Sequence, residues 1–328
     1  MKKVLSLILA LAMVFALVAC GEKQPASDGD ASSDGDKPAR GNVIMTFGTA
    51  DTGGSMYPAG AAVSQVWTNN VQGVKCNTQT STGSFQNCQD VSTGEVDVAV
   101  ATSDVVLNAY NGTGKFADIG KLDNLRVIGA VYTSVLSGVA LKSSGLTYIH
   151  ELLGKRVAVG PAASATENAT LAAFDVMGID SSNTSLENLG LGDGILDAAF
   201  GFAGLPIGGQ LNLAATKEIQ VLDMTQEEID KVLAGNAAYI QTKIPAGTYT
   251  GQDNDANTFG VKCLIIVTAD MDADLVYDLC KAMNEHTEEL AAGNALLKDM
   301  TDPSFLCTQM PIPLHDGAQK YYSEQGLI

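Results

Sequence analysis

The sequence contains few of the residues on which catalysis, metal binding and nucleic-acid binding depend. Among 328 residues there are three histidines, one tryptophan, and 19 Lys plus Arg against 37 Asp plus Glu, so the formal net charge is -18. His150, His286 and His315 stand far apart, and no HExxH motif or cysteine at metal spacing accompanies them. The sequence therefore predicts no metal site and no cofactor, and its charge disfavours nucleic acid and anionic lipid as partners.

Arginine is especially scarce. Arg40, Arg126 and Arg156 are the only three, and none lies in a loop that follows a predicted strand. A ligand carboxylate would therefore lack the guanidinium fork that commonly binds this group. Backbone N–H groups and hydroxyls at helix N-termini are the remaining donors for such a ligand.

The first residues have the pattern of an exported lipoprotein. Lys2 and Lys3 precede an uncharged run over residues 4–19, which is shorter than the roughly 20 residues of a membrane span and typical of a secretory signal. The following Cys20 ends a bacterial lipobox-like stretch, which implies removal of residues 1–19 and lipidation of Cys20. Residues 20–41 then form the lipidated cysteine and a flexible, polar tether. We expect an extracytoplasmic protein on the outer face of the cytoplasmic membrane, which it contacts only through this anchor.

Five cysteines remain after Cys20, and an odd number cannot all pair within one chain. Cys76 and Cys263 lie in strand-like runs, whereas Cys88 and Cys280 lie in helix-like ones. This distribution predicts small buried apolar residues. A disulfide between Cys76 and Cys88 is the alternative.

Three strand, turn and helix units follow one another over residues 43–110. This order predicts a parallel sheet with helices on its faces, in which ligands bind beyond the carboxyl ends of the strands. The first turn carries Gly53 and Gly54, which allow close approach of backbone N–H groups, and it leads into a helix N-terminus with partial positive charge. The sequence therefore predicts an anion site at this turn, with the turns at residues 80–84 and 102–103 beside it.

The second half of the chain repeats this arrangement. Apolar runs at residues 125–132 and 135–141 predict a crossing into a second lobe, where a strand at residues 156–159 leads through small residues into a helix over residues 167–177. A strand at residues 261–267 crosses back, and a long helix over residues 273–290 packs on the first lobe.

The predicted fold class is thus α/β, with two α/β lobes joined by a two-strand hinge and a ligand cleft between them. The predicted boundaries are 42–133 plus 263–328 for lobe 1 and 134–262 for lobe 2.

Six motifs together resemble the TAXI family of TRAP-transporter solute receptors. They occur in this order: Thr52-Gly53-Gly54-Ser55-Met56-Tyr57-Pro58; Thr102-Ser103-Asp104-Val105; residues 160–167; Asp197-Ala198-Ala199-Phe200 with Gly204-Leu205-Pro206; Ile244-Pro245-Ala246-Gly247-Thr248-Tyr249; and Pro313-Leu314-His315-Asp316-Gly317-Ala318. The resemblance implies a type II periplasmic-binding-protein fold. It also implies capture of a small carboxylate, such as glutamate, glutamine or a related dicarboxylate, and delivery to a sodium-coupled TRAP permease. No catalytic residues are predicted, because the sequence has no G-x-S-x-G motif.

The resemblance also implies a set of ligand-binding residues, to which the hydroxyls of Thr82 and Ser84 are added because they follow the second predicted strand. The carried-over residues are Thr52, Gly53, Gly54, Ser55, Tyr57, Thr102, Ser103, Tyr132, Ala162, Ala163, Ser164, Ala165 and Thr166.

Two alternatives and one departure accompany this interpretation. The chain could be the ligand-binding sensor of a membrane signalling protein, or a hydrolase built on Ser55 or Ser164, although no histidine stands near either serine in sequence.

The departure from the family pattern is at Ala163 and Ala165, which replace glycines usual in the family. If either position needs a positive φ, alanine costs about 1 kcal/mol, and otherwise the turn differs.

Overall fold

The computed structural model describes residues 41–52, 54–162, 164–189 and 196–328. The predicted signal peptide, the lipidated Cys20 and nearly all of the tether lie outside the described residues. Gly53 and Ala163 of the predicted site lie outside them too.

Strands and helices alternate through most of the described chain. The strands are β1 (Val43–Gly48), β2 (Val74–Gln79), β3 (Val98–Thr102), β4 (Leu125–Leu141), β5 (Arg156–Ala158), β6 (Ser185–Glu187), β7 (Ala198–Ala203), β8 (Ile219–Val221), β9 (Tyr239–Ile244) and β10 (Ala256–Thr268). The α-helices are α1 (Met56–Asn70), α2 (Ser84–Thr93), α3 (Ser103–Asn111), α4 (Ala165–Met177), α5 (Gly208–Ala214), α6 (Gln226–Gly235), α7 (Ala273–Glu285), α8 (Thr287–Gly293), α9 (Pro303–Cys307) and α10 (Asp316–Glu324). No helix in these described stretches has the length and hydropathy to cross a membrane.

The strands form one mixed sheet in the order β2-β1-β3-β10-β4-β7-β5-β6, with β8 paired to β4 and β9 paired to β10. Strand β1 is parallel to both β2 and β3, as the three successive strand, turn and helix units predict. All five residues of β3 are buried, which is typical of a strand covered by helices on both faces.

Two long strands, β4 and β10, run through both halves of the sheet. They pair with each other antiparallel from Val135–Gly260 to Leu125–Thr268. One half of β10 pairs with β3 and the other half pairs with β9, while the last residues of β4 pair with β7 and β8. The two apolar runs of the sequence are therefore one 17-residue strand, in which Thr133 and Ser134 separate the runs without ending the strand.

The hydrophobic core is divided along these two strands. On β4, Tyr132 belongs to a cluster with α1 and α7, whereas Leu136 belongs to a separate cluster with α4 and α6. On β10 the same change occurs between Val261 and Cys263. Each half thus has its own core, and the exact lobe boundaries at residues 133/134 and 262/263 stay a prediction.

The prediction of one continuous helix over residues 273–290 is wrong, because two helices occupy this stretch. The backbone leaves the helical conformation at His286, with φ -115° and ψ 20°, so that α7 ends at Glu285 and α8 begins at Thr287. The apolar spacing continues through this point, and for that reason the break was not visible in the sequence.

The alternative of a Cys76–Cys88 disulfide is also wrong. All five cysteines of the described chain are free and buried. The Cys76 Sγ atom lies 3.4 Å from the Ser64 hydroxyl, and burial raises the pKa of this thiol to about 11. These cysteines therefore pack as small apolar side chains.

Candidate functional site

A cavity of about 600 Å³ opens between the two halves of the chain. Its lining comes from residues 50–134 on one side and residues 164–239 on the other. This volume lies within the range of about 300–1,000 Å³ that is typical of small-molecule sites.

The N-terminal residues of four α-helices line this cavity. They are Gly54, Ser55 and Met56 at α1; Thr82, Gly83 and Ser84 at α2; Thr102 and Asp104 at α3; and Ser164 and Ala165 at α4. The first backbone N–H groups of a helix have no partner within that helix, and they carry the positive end of its dipole. The cavity therefore has the donors and the local potential that a small anionic group requires.

Hydrogen bonds hold the loops of the first half in place. The Asn87 amide donates to the carbonyl groups of Thr49, at 2.5 Å, and Val100, at 2.6 Å, and so joins the loop after β1 to strand β3. The Ser81 hydroxyl donates to the same Thr49 carbonyl at 2.9 Å and accepts the Gly83 N–H at 2.9 Å. The three helix N-termini of this half are thus fixed relative to one another without help from a ligand.

The turn before α4 is held by its own residues. The Ser164 hydroxyl caps the helix by accepting the Glu167 N–H at 3.1 Å. Gly160 has φ +102°, and a Cβ atom there would lie 2.7 Å from the Thr166 side chain, so this position requires glycine. Ala165 is the first helical residue and has no positive φ, so its replacement of a glycine adds no backbone strain.

Eight of the predicted site residues line the cavity: Gly54, Ser55, Thr82, Ser84, Thr102, Tyr132, Ser164 and Ala165. Five others do not line it: Thr52, Tyr57, Ser103, Ala162 and Thr166. The Ser103 side chain is buried and donates to the Ala238 carbonyl at 3.1 Å, and Thr166 packs against Gly160. The geometry supports a ligand contact for the first group and a structural role for Ser103 and Thr166.

Several lining residues were not identified from the sequence. They are the aromatic residues Phe85, Phe116, Phe202 and Tyr239, the charged residues Asp104 and Lys115, and the amides Asn108, Asn168 and Asn236. Asp104 follows the predicted Thr102 and Ser103 directly, and attention to the first turn of α3 would have included it. The others come from helices, loops, strand β7 and the start of β9, which only tertiary packing brings together.

The cavity shields the side chains of Asp104 and Tyr239 from solvent. Burial raises the pKa of the Asp104 carboxyl, and this effect outweighs the hydrogen bonds from the Thr102 side chain and the Val105 backbone, which lower it. Burial, together with the nearby charge of Asp104, raises the pKa of Tyr239 to about 12. Electrostatic interactions with a bound solute are therefore stronger here than at an exposed surface.

The described lining contains neither histidine nor cysteine, so Ser55 and Ser164 have no imidazole base beside them in this cavity. His150 instead pairs with Glu228, and His286 pairs with Glu289. The described parts of the chain also hold no group of three or more His, Cys, Asp or Glu residues arranged to bind a metal ion.

The chain belongs to the NMT1-like family, whose model matches residues 47–326. Among solved structures, it is similar to a TctC solute-binding protein from Polaromonas, at 13% identity and a TM-score of 0.52 over 87% of this chain and 98% of that one. It is also similar to the periplasmic aliphatic sulphonate binding protein SsuA from Escherichia coli, at 13% identity and a TM-score of 0.44 over 86% and 82%. A third is substrate-binding domain 2 of GlnP from Lactococcus lactis in its open conformation, at 10% identity and a TM-score of 0.43 over 82% and 97%.

At these identities the likeness concerns the fold alone. The similarity to the TctC protein extends over nearly all of that chain, and the mixed α/β sheet, with separate core clusters in its two halves, matches the two-lobed arrangement. The predicted periplasmic-binding-protein fold is therefore confirmed. The narrower resemblance to TAXI receptors stays a prediction.

Proposed function

We propose that this chain is the extracytoplasmic receptor of a transport system, and that it captures a small carboxylate solute and delivers it to a sodium-coupled TRAP permease. The solute class is glutamate, glutamine or a related dicarboxylate. The observation that carries this proposal is the convergence of four helix N-termini on one cavity.

The chemistry of the cavity supports a carboxylate. Backbone N–H groups and the hydroxyls of Ser55, Thr82 and Ser164 are donors that suit this group, and the ammonium group of Lys115 adds one positive charge to the lining. The net charge of -18 does not oppose such a ligand, because surface charges are screened over about 10 Å whereas the helix N-termini act at contact distance.

The fold supports a receptor that changes shape with its ligand. A solute bound between two lobes can contact both only when they are close together, so it favours the closed form. The permease then recognises the surface of this closed form. The resemblance of the six sequence motifs to TAXI receptors supports the TRAP permease as this partner.

Binding is tested by calorimetric titration of the purified protein with glutamate, glutamine, aspartate, succinate and glutarate. We expect saturable binding of at least one of them with a stoichiometry of one. Absence of binding to all small carboxylates would contradict the proposed function.

Delivery to the permease is tested by solute uptake in cells that express the permease with and without this chain. Uptake that does not depend on the chain would contradict the proposed delivery.

A further inference from the structure

One side-chain oxygen in the cavity lacks a hydrogen-bond partner within the described part of the chain. Asp104 lies in the first turn of α3 and lines the cavity. Its Oδ1 atom is buried and accepts no hydrogen bond from any described residue. A buried carboxylate oxygen without a donor is unfavourable, so a bound molecule that supplies a donor here would gain binding free energy.

The groups that face Asp104 do not neutralise it. The phenol of Tyr239 and the thiols of Cys88 and Cys263 lie close enough that the Asp104 charge raises their pKa values, so these neighbours stay neutral. Lys115 is the cation of the described lining, and its side chain belongs to an exposed residue of the turn after α3. The buried oxygen therefore presents an acceptor without a donor to the cavity.

A carboxylate of the solute does not suit this position, because it supplies no donor to the oxygen and repels the ionised form of Asp104 in a shielded cavity. An ammonium group can, since it supplies both the missing N–H donor and the opposite charge. The N-termini of α1, α2 and α4 carry no acidic residue in the lining and are left for a carboxylate. The described lining thus has one acidic group, Asp104, and, apart from it, the N-termini of α1, α2 and α4, which carry partial positive charge.

We propose that the Asp104 carboxylate binds the ammonium group of the solute, and that the solute is therefore an α-amino acid rather than a dicarboxylate without an amine. This inference rests on the proposed function, because it names the class of solute that the same cavity accepts. It also assigns a specificity-determining role to a residue outside the predicted site.

Matched ligand pairs test this inference on the unaltered protein. L-glutamate and glutarate, L-leucine and 4-methylpentanoate, and L-phenylalanine and 3-phenylpropanoate differ within each pair by the ammonium group. Calorimetric titration should show at least about tenfold tighter binding of the amino acid in the pair that the cavity accepts, as expected for a hydrogen bond to a charged group. Equal binding within a pair would overturn the inference and leave the proposed function standing. Absence of binding by every carboxylate would overturn both.

The variant Asp104→Asn tests the residue itself. It should weaken amino-acid binding by about 10- to 100-fold and leave the binding of the matched carboxylate unchanged or tighter. Asp118→Asn is the control, because it removes an equal charge from an exposed residue outside the lining and should leave both affinities unchanged. Wild-type affinity for the amino acid in Asp104→Asn would overturn the inference, since a neutral amide would then serve as well as the carboxylate. A folding defect in the variant would leave the ligand pairs as the deciding measurement.

Discussion

At the scale of single residues, Ser164 combines a helix cap with a position in the cavity. Its hydroxyl accepts the Glu167 N–H at 3.1 Å, and the residue lines the cavity. We expect Ser164→Ala to lower the free energy of unfolding by about 1 kcal/mol and also to weaken solute binding, because a donor at the α4 N-terminus is removed. Urea denaturation and calorimetry measure the two effects.

Thr225 provides the matched control for this variant. It caps α6 by accepting the Glu228 N–H at 3.3 Å and does not line the cavity. Thr225→Ala should therefore cost a similar amount of stability and leave the affinity unchanged. If both variants bound solute like the wild type, Ser164 would be a structural residue only.

Lys262 gives a second prediction at this scale, on the pH dependence of stability. It is 4% exposed on β10, and its ammonium group donates to the carbonyl groups of Phe305 and Thr308, each at 2.9 Å. Burial lowers the pKa of this residue from 10.5 to about 8. Between these two pH values the unfolded chain binds more protons than the folded chain, so this residue makes stability rise with pH by at most about 1.4 kcal/mol per unit.

The comparison with Lys262→Met isolates that contribution. Denaturation at pH 7, 8, 9 and 10 should show that the wild type gains stability relative to the variant above pH 8. Because all other titrating groups are shared, they cancel in this difference. A difference that stays constant over the range would show that the pKa of Lys262 is not lowered by folding.

Residue-scale prediction from sequence succeeded where a signal is local. The small and hydroxyl residues before α1, α2 and α4 could be assigned because each stands at a strand-to-helix turn. Tyr239 and Phe202 could not be assigned to the site, because they reach the cavity through the pairing of β9 with β10 and of β7 with β4. Such long-range pairing leaves no pattern in the residues beside them.

At the scale of elements, the shared strands β4 and β10 approach each other closely at Gly260. A Cβ atom at this position would lie 2.4 Å from the Ser134 carbonyl oxygen. We expect Gly260→Ala to push the two strands apart and to lower the free energy of unfolding by about 1–3 kcal/mol. Because Ser134 also lines the cavity, solute affinity should fall as well.

Gly235→Ala is the control at this scale. Gly235 is the last residue of α6, and a Cβ atom there would meet nothing within 4 Å. This substitution should leave stability unchanged or raise it by up to about 1 kcal/mol, because alanine restricts the unfolded chain. Equal stability of Gly260→Ala and the wild type would show that the strands can separate at no cost.

The predicted helices match the structure best where hydrophobic periodicity and capping residues both indicate the same helix start. The S/T-x-x-E pattern of Thr225 and Glu228 predicts a capping box, and this box opens α6, with the Thr225 N–H donating to the Glu228 carboxylate at 2.7 Å. Periodicity alone was less reliable, since it joined α7 and α8 across His286. This error concerns where an element ends, which depends on packing against the rest of the protein.

At the scale of the whole molecule, the predicted lipid anchor leads to a prediction about membrane association. The lipobox-like residues at the N-terminus predict a lipid on the Cys20 thiol. Cys20→Ala should move the protein from the membrane fraction to the soluble fraction, because no thiol remains to carry the lipid. Fractionation of cells that express each form measures this.

The solute affinity of the Cys20→Ala protein is the companion measurement. The cavity is built from residues 50–239, so the affinity should equal that of the wild type. A variant that stayed in the membrane fraction would show that the protein is held there by something other than a lipid on Cys20.

The most direct test of the account is a crystal structure of the protein with the tightest-binding amino acid from the titrations. We expect the ligand in the cavity of about 600 Å³, with its carboxylate at the N-termini of α1, α2 or α4. Its nitrogen should lie about 3 Å from the Asp104 Oδ1 atom. A ligand bound elsewhere on the molecule, with this cavity empty, would contradict the central claim that the four helix N-termini form the solute site.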